Sequence, residues 1–167
     1  MVSQISRQHI IRNSYRSLIS FLFRMTDIIE ITKKHWENSD NCARSTAKGI
    51  LDYFQFLEIS KTLDKALMAF GGGMGERSIC GAVSGSLTAL STIMVERGIE
   101  AEKMSEIFKE FKTRFQEKNG SLYCKNIIED FIAPDGSIDQ ENQERKDKCE
   151  QAVFSAVLIA KNLIEKL

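Results

Sequence analysis

The chain has 167 residues, 43% hydrophobic and 28% charged, which suits one globular domain that can bury a core without disulfide staples. The formal net charge is zero, and no apolar run approaches the roughly 18 residues that a membrane span needs. A membrane span is therefore not expected. Nor is nucleic-acid binding, because a basic footprint of four arginines is too narrow for it.

Those four, Arg7, Arg12, Arg16 and Arg24, fall within residues 1–26, which hold no acid. A small basic helical extension, residues 1–26, thus precedes an acidic body, residues 27–167. A secretory signal fits poorly: Ser17–Phe23 is short and broken by serines, and no small-residue cleavage site follows; a transit peptide, Arg-rich and acid-poor, fits the composition better, and an amphipathic helix packed on the rest is the favoured reading. Ile11, Tyr15, Leu18, Leu22, Met25, Ile29, Thr32 and Trp36 alternate steps of four and three, the seam of a long amphipathic helix from about Ser3 to Glu37. Ile10, Phe21, Phe23, Ile28 and Ile31 lie off that seam, so the helix needs cover on a second side, from the bundle or from a second copy of the chain. His9 and His35, the two histidines, read as surface or satisfied residues, and Trp36 as core.

Asn38–Asn41 suits a turn and an N-cap. A second helix is expected from about Cys42 to Leu57, with Ile50, Tyr53, Phe54 and Leu57 facing inward. Ser60 can cap a third, carrying Leu63, Ala66, Leu67 and Phe70. The glycine loop Gly71–Gly75 ends it. Ser78 is placed to cap a fourth helix to about Arg97, with Gly98 just past its end. Met104, Ile107, Phe108, Phe111 and Phe115 mark a fifth, closed by Asn119-Gly120, and Ser121 is placed to cap a short sixth to about Phe131. Residues 135–148 are almost wholly polar, a loop or the exposed start of the last helix. Cys149, Val153, Ala156, Ala160 and Leu163 then step along that helix. The expected class is all-α: a single-domain bundle of about six or seven helices with a long N-terminal helix.

Cys42, Cys80, Cys124 and Cys149 form no CxxC pair, so zinc-ribbon and thioredoxin motifs are absent. Without an export signal, the expected setting is a reducing cytoplasm with free or metal-bound thiols. Cys42, Cys80 and Cys124 each fall in the first turn of an expected helix, where backbone N–H groups and the positive dipole end favour a thiolate. Cys149, on an apolar stripe, points into the same interior. Four thiols aimed at one core suit an iron–sulfur cluster or a transition metal such as iron or zinc, or a reversible disulfide. Cysteines are also common inert core plugs.

Gly81 and Gly85, with Ala82, Ser84, Ser86 and Ala89 beside them, make one helix face nearly bare, open to a cofactor plane or to another helix. Gly71, Gly72, Gly73 and Gly75 would belong with them to a cofactor-binding set. The loop fits neither a dinucleotide fingerprint nor a P-loop, which leaves an anion at the helix start.

Cys42 in Asn41-Cys-Ala, the block Phe70-Gly-Gly-Gly-Met-Gly followed by Cys80-Gly-Ala-Val-Ser-Gly85, Cys124 after Lys118-Asn-Gly-Ser-Leu-Tyr, and Cys149 before Glu-Gln-Ala-Val together resemble the redox-active proteins labelled C_GCAxxG_C_C. The likeness spans about residues 27–167. It departs from the label at Ile79, which stands before the central cysteine where the label writes glycine. The resemblance implies a small helical protein doing redox or metal chemistry through Cys42, Cys80, Cys124 and Cys149, with Cys80 and Cys42 as the catalytic thiols and a redox partner protein. Covalent haem is not expected, since no CxxCH occurs. The competing expectation is a non-catalytic interaction module whose seam helix pairs two copies or grips a partner. A weaker third is a small-ligand carrier built on the glycine loop.

Overall fold

The computed structural model describes residues 28–38 and 41–167. The basic segment 1–26, the long-helix expectation before residue 28, its pairing residues Leu18 and Leu22, and His9 lie outside them. Within the described residues the fold is all-α. Helix α1 covers residues 28–37. It is followed by α2 (Cys42–Tyr53), α3 (Leu57–Ala66), α4 (Gly81–Glu96), α5 (Ala101–Asn119), the short α6 (Cys124–Ile127) and α7 (Gln143–Ile164). No helix among these residues is long and apolar enough to cross a membrane.

The centre is a triad of α2, α4 and α7, with α5 laid on α7 and α4 and α3 laid on α2. Its core includes Ile50, Leu51, Val83, Leu90, Ile93, Met94, Val153, Val157 and Leu163. From α5, the expected stripe residues Phe111 and Phe115 stack at 6.1 Å between ring centroids, fully buried.

The bare face of α4 is occupied by α2. A Cβ on Gly85 would fall on the carbonyl oxygen of Ala43, and one on Gly81 would come within 3.0 Å of the Ala43 nitrogen. The same device seats α1, where a Cβ on Gly49 would collide with the side chain of Thr32. Thr32 is itself buried, donating its hydroxyl to the carbonyl of Ile28 at 2.7 Å. His35 ties α1 to α2 through Asp52 at 2.8 Å. Burial works to raise the Asp52 carboxyl, but hydrogen bonds from His35 and Ser60 prevail and hold it below its ordinary range.

Four expected boundaries move. Helix α2 stops at Tyr53, not Leu57, because Gln55 turns left-handed (φ 66°). Gln55 N–H then bonds to Asp52 O, and Phe56 N–H to Leu51 O, the paired bonds of a Schellman cap. Leu57 therefore begins α3 and is 47% exposed instead of facing inward. Ser60 lies inside α3 and does not cap it. The N-cap of α4 is Cys80 and that of α6 is Tyr123, not Ser78 and Ser121, because the two chain segments before those helices pair with each other.

Candidate thiol site

Each cysteine is placed by a local device. Asn41 caps α2: its Oδ1 accepts from the N–H groups of Ala43 and Arg44, each at 3.0 Å. Its Nδ2 donates to the carbonyls of Leu67 and Met68, so the turn that follows α3 grips the start of α2. Cys42 is therefore fixed as the first residue of α2.

The glycine turn fixes Cys80. Gly72, Gly73 and Gly75 all have positive φ (58°, 63° and 76°) in a tight turn whose Ser78 N–H returns to Gly73 O at 3.2 Å. Beyond it, Ile79 and Tyr123 form an isolated antiparallel bridge. Cys80 N–H bonds to Leu122 O at 2.8 Å, and Cys124 N–H to Ser78 O at 2.7 Å. One backbone clasp thus positions two cysteines. Cys149 comes from the second turn of α7, whose start is capped by Asn142 Oδ1 accepting from Arg145 N–H at 2.9 Å.

Most of the proposed cofactor glycines are consumed by packing. A side chain at Gly71 would meet Asn41, one at Gly73 would meet the Ser78 backbone, and those at Gly81 and Gly85 would meet α2. Protein fills the space expected for a cofactor at these four positions. Gly72 and Gly75 alone of the six border the cavity described next.

That cavity, about 820 Å³, is lined by Cys42, Cys124 and Cys149, by Trp36 at the end of α1, and by charged groups that include Arg77 and Arg145. Trp36, expected in the core, packs half against it and half along this cavity. Cys80 is 6% exposed behind the cavity and Cys124 is 8% exposed at its edge, while Cys42 and Cys149 are partly open.

The four thiols are electrostatically coupled, and they split into unlike pairs. The neighbouring Cys149 raises Cys42 well above the ordinary thiol value, with burial and the charges of Cys80 and Cys124 adding to it. The Cys42 side chain in turn brings Cys149 down to about 7, against the cost of burial and with further help from Arg145. Burial pushes Cys80 up to about 12, although the N–H groups of Ala82 and Val83 oppose it. Burial also raises Cys124, with Cys149 adding to the rise and Arg145 and Arg77 opposing it.

The expectation that helix starts would acidify three thiols is therefore reversed. A helix terminus contributes about 0.3–1 kcal/mol, less than one pH unit, whereas full burial shifts a group by up to about 3–5 units. The acidic thiol is Cys149, which sits in a helix interior. Arg145, inside the stretch read from the sequence as loop or exposed helix start, is the residue sequence reasoning missed. Its signal was the spacing to Cys149: four residues apart on one helix, they share a face.

Residues 40–163 match the model of the family described as "Putative redox-active protein (C_GCAxxG_C_C)". The chain belongs to this family. No curated protein and no solved structure matches the chain. In this C_GCAxxG_C_C protein all four cysteines lie within the matched residues, and all are free. Among the described residues, no three His, Cys, Asp or Glu side chains form a group placed to hold a metal ion.

The acidity of Cys149 has a direct readout. Only the thiolate is nucleophilic, so alkylation of Cys149 by iodoacetamide rises with pH along a curve with its midpoint near 7. At pH 6 the rate is expected to be about a tenth of its plateau. A rate still climbing without inflection through pH 8.5 would show an ordinary thiol.

Proposed function

We propose that this protein works as a dithiol redox protein in which Cys149 attacks and Cys42 resolves. The observation that carries the reading is the meeting of Cys42 and Cys149 at one open cavity, beside the Arg145 guanidinium, where the two shift each other in opposite directions. An attacking thiol works best with its pKa near ambient pH, which Cys149 has.

The cycle follows from that asymmetry. The Cys149 thiolate attacks one sulfur of a small disulfide, forming a mixed disulfide and expelling one thiolate. Cys42 loses its proton to that leaving thiolate and attacks the Cys149 sulfur. The Cys42–Cys149 bond forms, the mixed disulfide breaks, and the second thiolate leaves and is protonated from solvent. Two electrons pass from the protein to the small disulfide, which departs as two thiols. A dithiol reductant, such as a redox partner protein, restores the pair by the reverse exchange. A reducing cytoplasm would supply such a reductant.

Cys80, expected as the central thiol, plays no step here. Burial keeps it protonated, and it closes the start of α4 beside the α2 contact. The rival is iron, zinc or an iron–sulfur cluster held by all four cysteines, and one experiment separates the two. Protein purified anaerobically is assayed for metal and then titrated with a small symmetric disulfide. The dithiol reading predicts that one equivalent is consumed per chain, two protein thiols are lost and two small thiols are released. Stoichiometric iron or zinc, with thiols that react only after a chelator removes it, would replace this reading with the metal one.

A further inference from the structure

The loop from Ala133 to Asn142 forms one wall of the thiol cavity, contributing Ile138 and Gln140. Two guanidinium groups hold it there. Arg77 donates to Gly136 O at 2.7 Å; Arg145 donates through Nε to Asp139 O at 3.2 Å and through a terminal nitrogen to Gln140 O at 2.9 Å. Arg145 and Cys149 line the same cavity from one face of α7, one helical turn apart, and the Arg145 charge favours the Cys149 thiolate. Arg145 therefore joins the reactive sulfur to the wall of its own pocket, and five N–H donors in a planar fork permit both tasks at once.

We propose that Arg145 is a positioning residue that closes the 133–142 loop over the reduced Cys42–Cys149 pair and loosens it when the pair is oxidised. This rests on the dithiol reading above. In the reduced protein the Cys149 thiolate and the loop carbonyls attract the guanidinium together. In the disulfide that sulfur carries no charge, and the guanidinium keeps its carbonyl partners alone. Lys146 pairs with Glu141 at 2.7 Å, and Arg77 holds Gly136; neither depends on Cys149, so they keep the loop attached while Arg145 lets go. Asp147, Glu150 and Glu37 also border the pocket as alternative partners for a released guanidinium. Opening would expose the disulfide to its reductant.

Amide hydrogen exchange of residues 133–142 tests this on the whole chain, reduced and oxidised, with oxidation verified by the loss of two hydrogen atoms in mass. Exchange is expected to be roughly tenfold faster in the disulfide form, the effect of losing one hydrogen bond to a charged group. Arg145→Gln should exchange fast in both forms. Arg145→Lys keeps the charge but not the fork, and should do the same. Arg77→Gln should raise exchange while leaving a redox difference, because Arg77 does not hold Cys149. Equal protection of the wild-type loop in both forms, or a redox difference that persists in Arg145→Gln, would overturn the proposal. If the two hydrogen atoms are never lost, the dithiol reading itself fails and this inference falls with it.

Discussion

Cys149→Ser is expected to lower the rate of reaction with a small disulfide at pH 7 by at least about a hundredfold. Cys149 is about half ionised at that pH, with its value near 7. Cys80, at about 12, presents only about one thiolate in 10⁵ molecules at the same pH. Cys124 is raised first by burial, Cys42 keeps the burial part of its rise when the Cys149 sulfur is gone, and no other cysteine remains in the chain. The partner substitution gives a different phenotype. Cys42→Ala keeps the attacking sulfur and Arg145 but removes the resolving thiol, so the mixed disulfide with the small molecule should accumulate and be visible by mass. Losing the Cys42 thiol should also move the alkylation midpoint of Cys149 upward, since Cys42 is the largest lowering influence on it. Stopped-flow kinetics and intact mass on the two variants measure all three effects. Equal reactivity in Cys149→Ser and wild type would remove Cys149 from the centre of the site.

Gly85→Ala is expected to destabilise the fold by about 2 kcal/mol, a fall in Tm of roughly 4–8 °C, although alanine is the better helix former. The added methyl falls on the backbone of Ala43, and backbone cannot rotate aside as a side chain can. To accept it, α2 and α4 must separate. Gly85→Leu should leave no cooperative unfolding transition at all. The cost reaches function because α2 begins at Cys42, one residue before the contact. Gly85→Ala should therefore also slow disulfide formation, even in protein that remains folded. Thermal unfolding followed by circular dichroism tests the first part. A Tm equal to or above wild type would mean that the two helices do not meet at this glycine.

How much of this was legible depends on which force a pattern reports. The helices were readable from their stripes, because burial repeats with the helical period: Ile107, Phe111 and Phe115 on α5, and Val153, Ala156, Ala160 and Leu163 on α7, are all buried. The ends of α4 and α5 were readable from Gly98 (φ 67°) and Gly120 (φ 80°), since glycine takes the left-handed position at low cost. The end of α2 uses the same cap with Gln55, and nothing in glutamine's chemistry announces a left-handed turn. Ser78 and Ser121 were read as caps, but a backbone clasp between distant segments overrode that reading. Ser121 Oγ instead accepts from Tyr123 N–H and Asn126 Nδ2.

The four cysteines were legible as candidates, and the structure sets Cys42, Cys124 and Cys149 on one cavity while Cys80 is buried and does not line it. Their acidity depends on depth, which a single sequence does not encode, and on Arg145, which looked like one more charge in a polar run. The glycine block was read as a cradle for a ligand; the folded chain uses most of it to turn sharply and to let two helices touch.

The account stands on a bond between two particular sulfurs, and a peptide map reads it directly. Reduced protein is oxidised with one equivalent of small disulfide, blocked with an alkylating agent, cleaved without reductant and sequenced by mass spectrometry. The expected product joins the peptide containing Cys42 to the one containing Cys149, with Cys80 and Cys124 recovered as free or alkylated thiols. A linkage between Cys80 and Cys124, or four alkylated cysteines with no linkage, would contradict it.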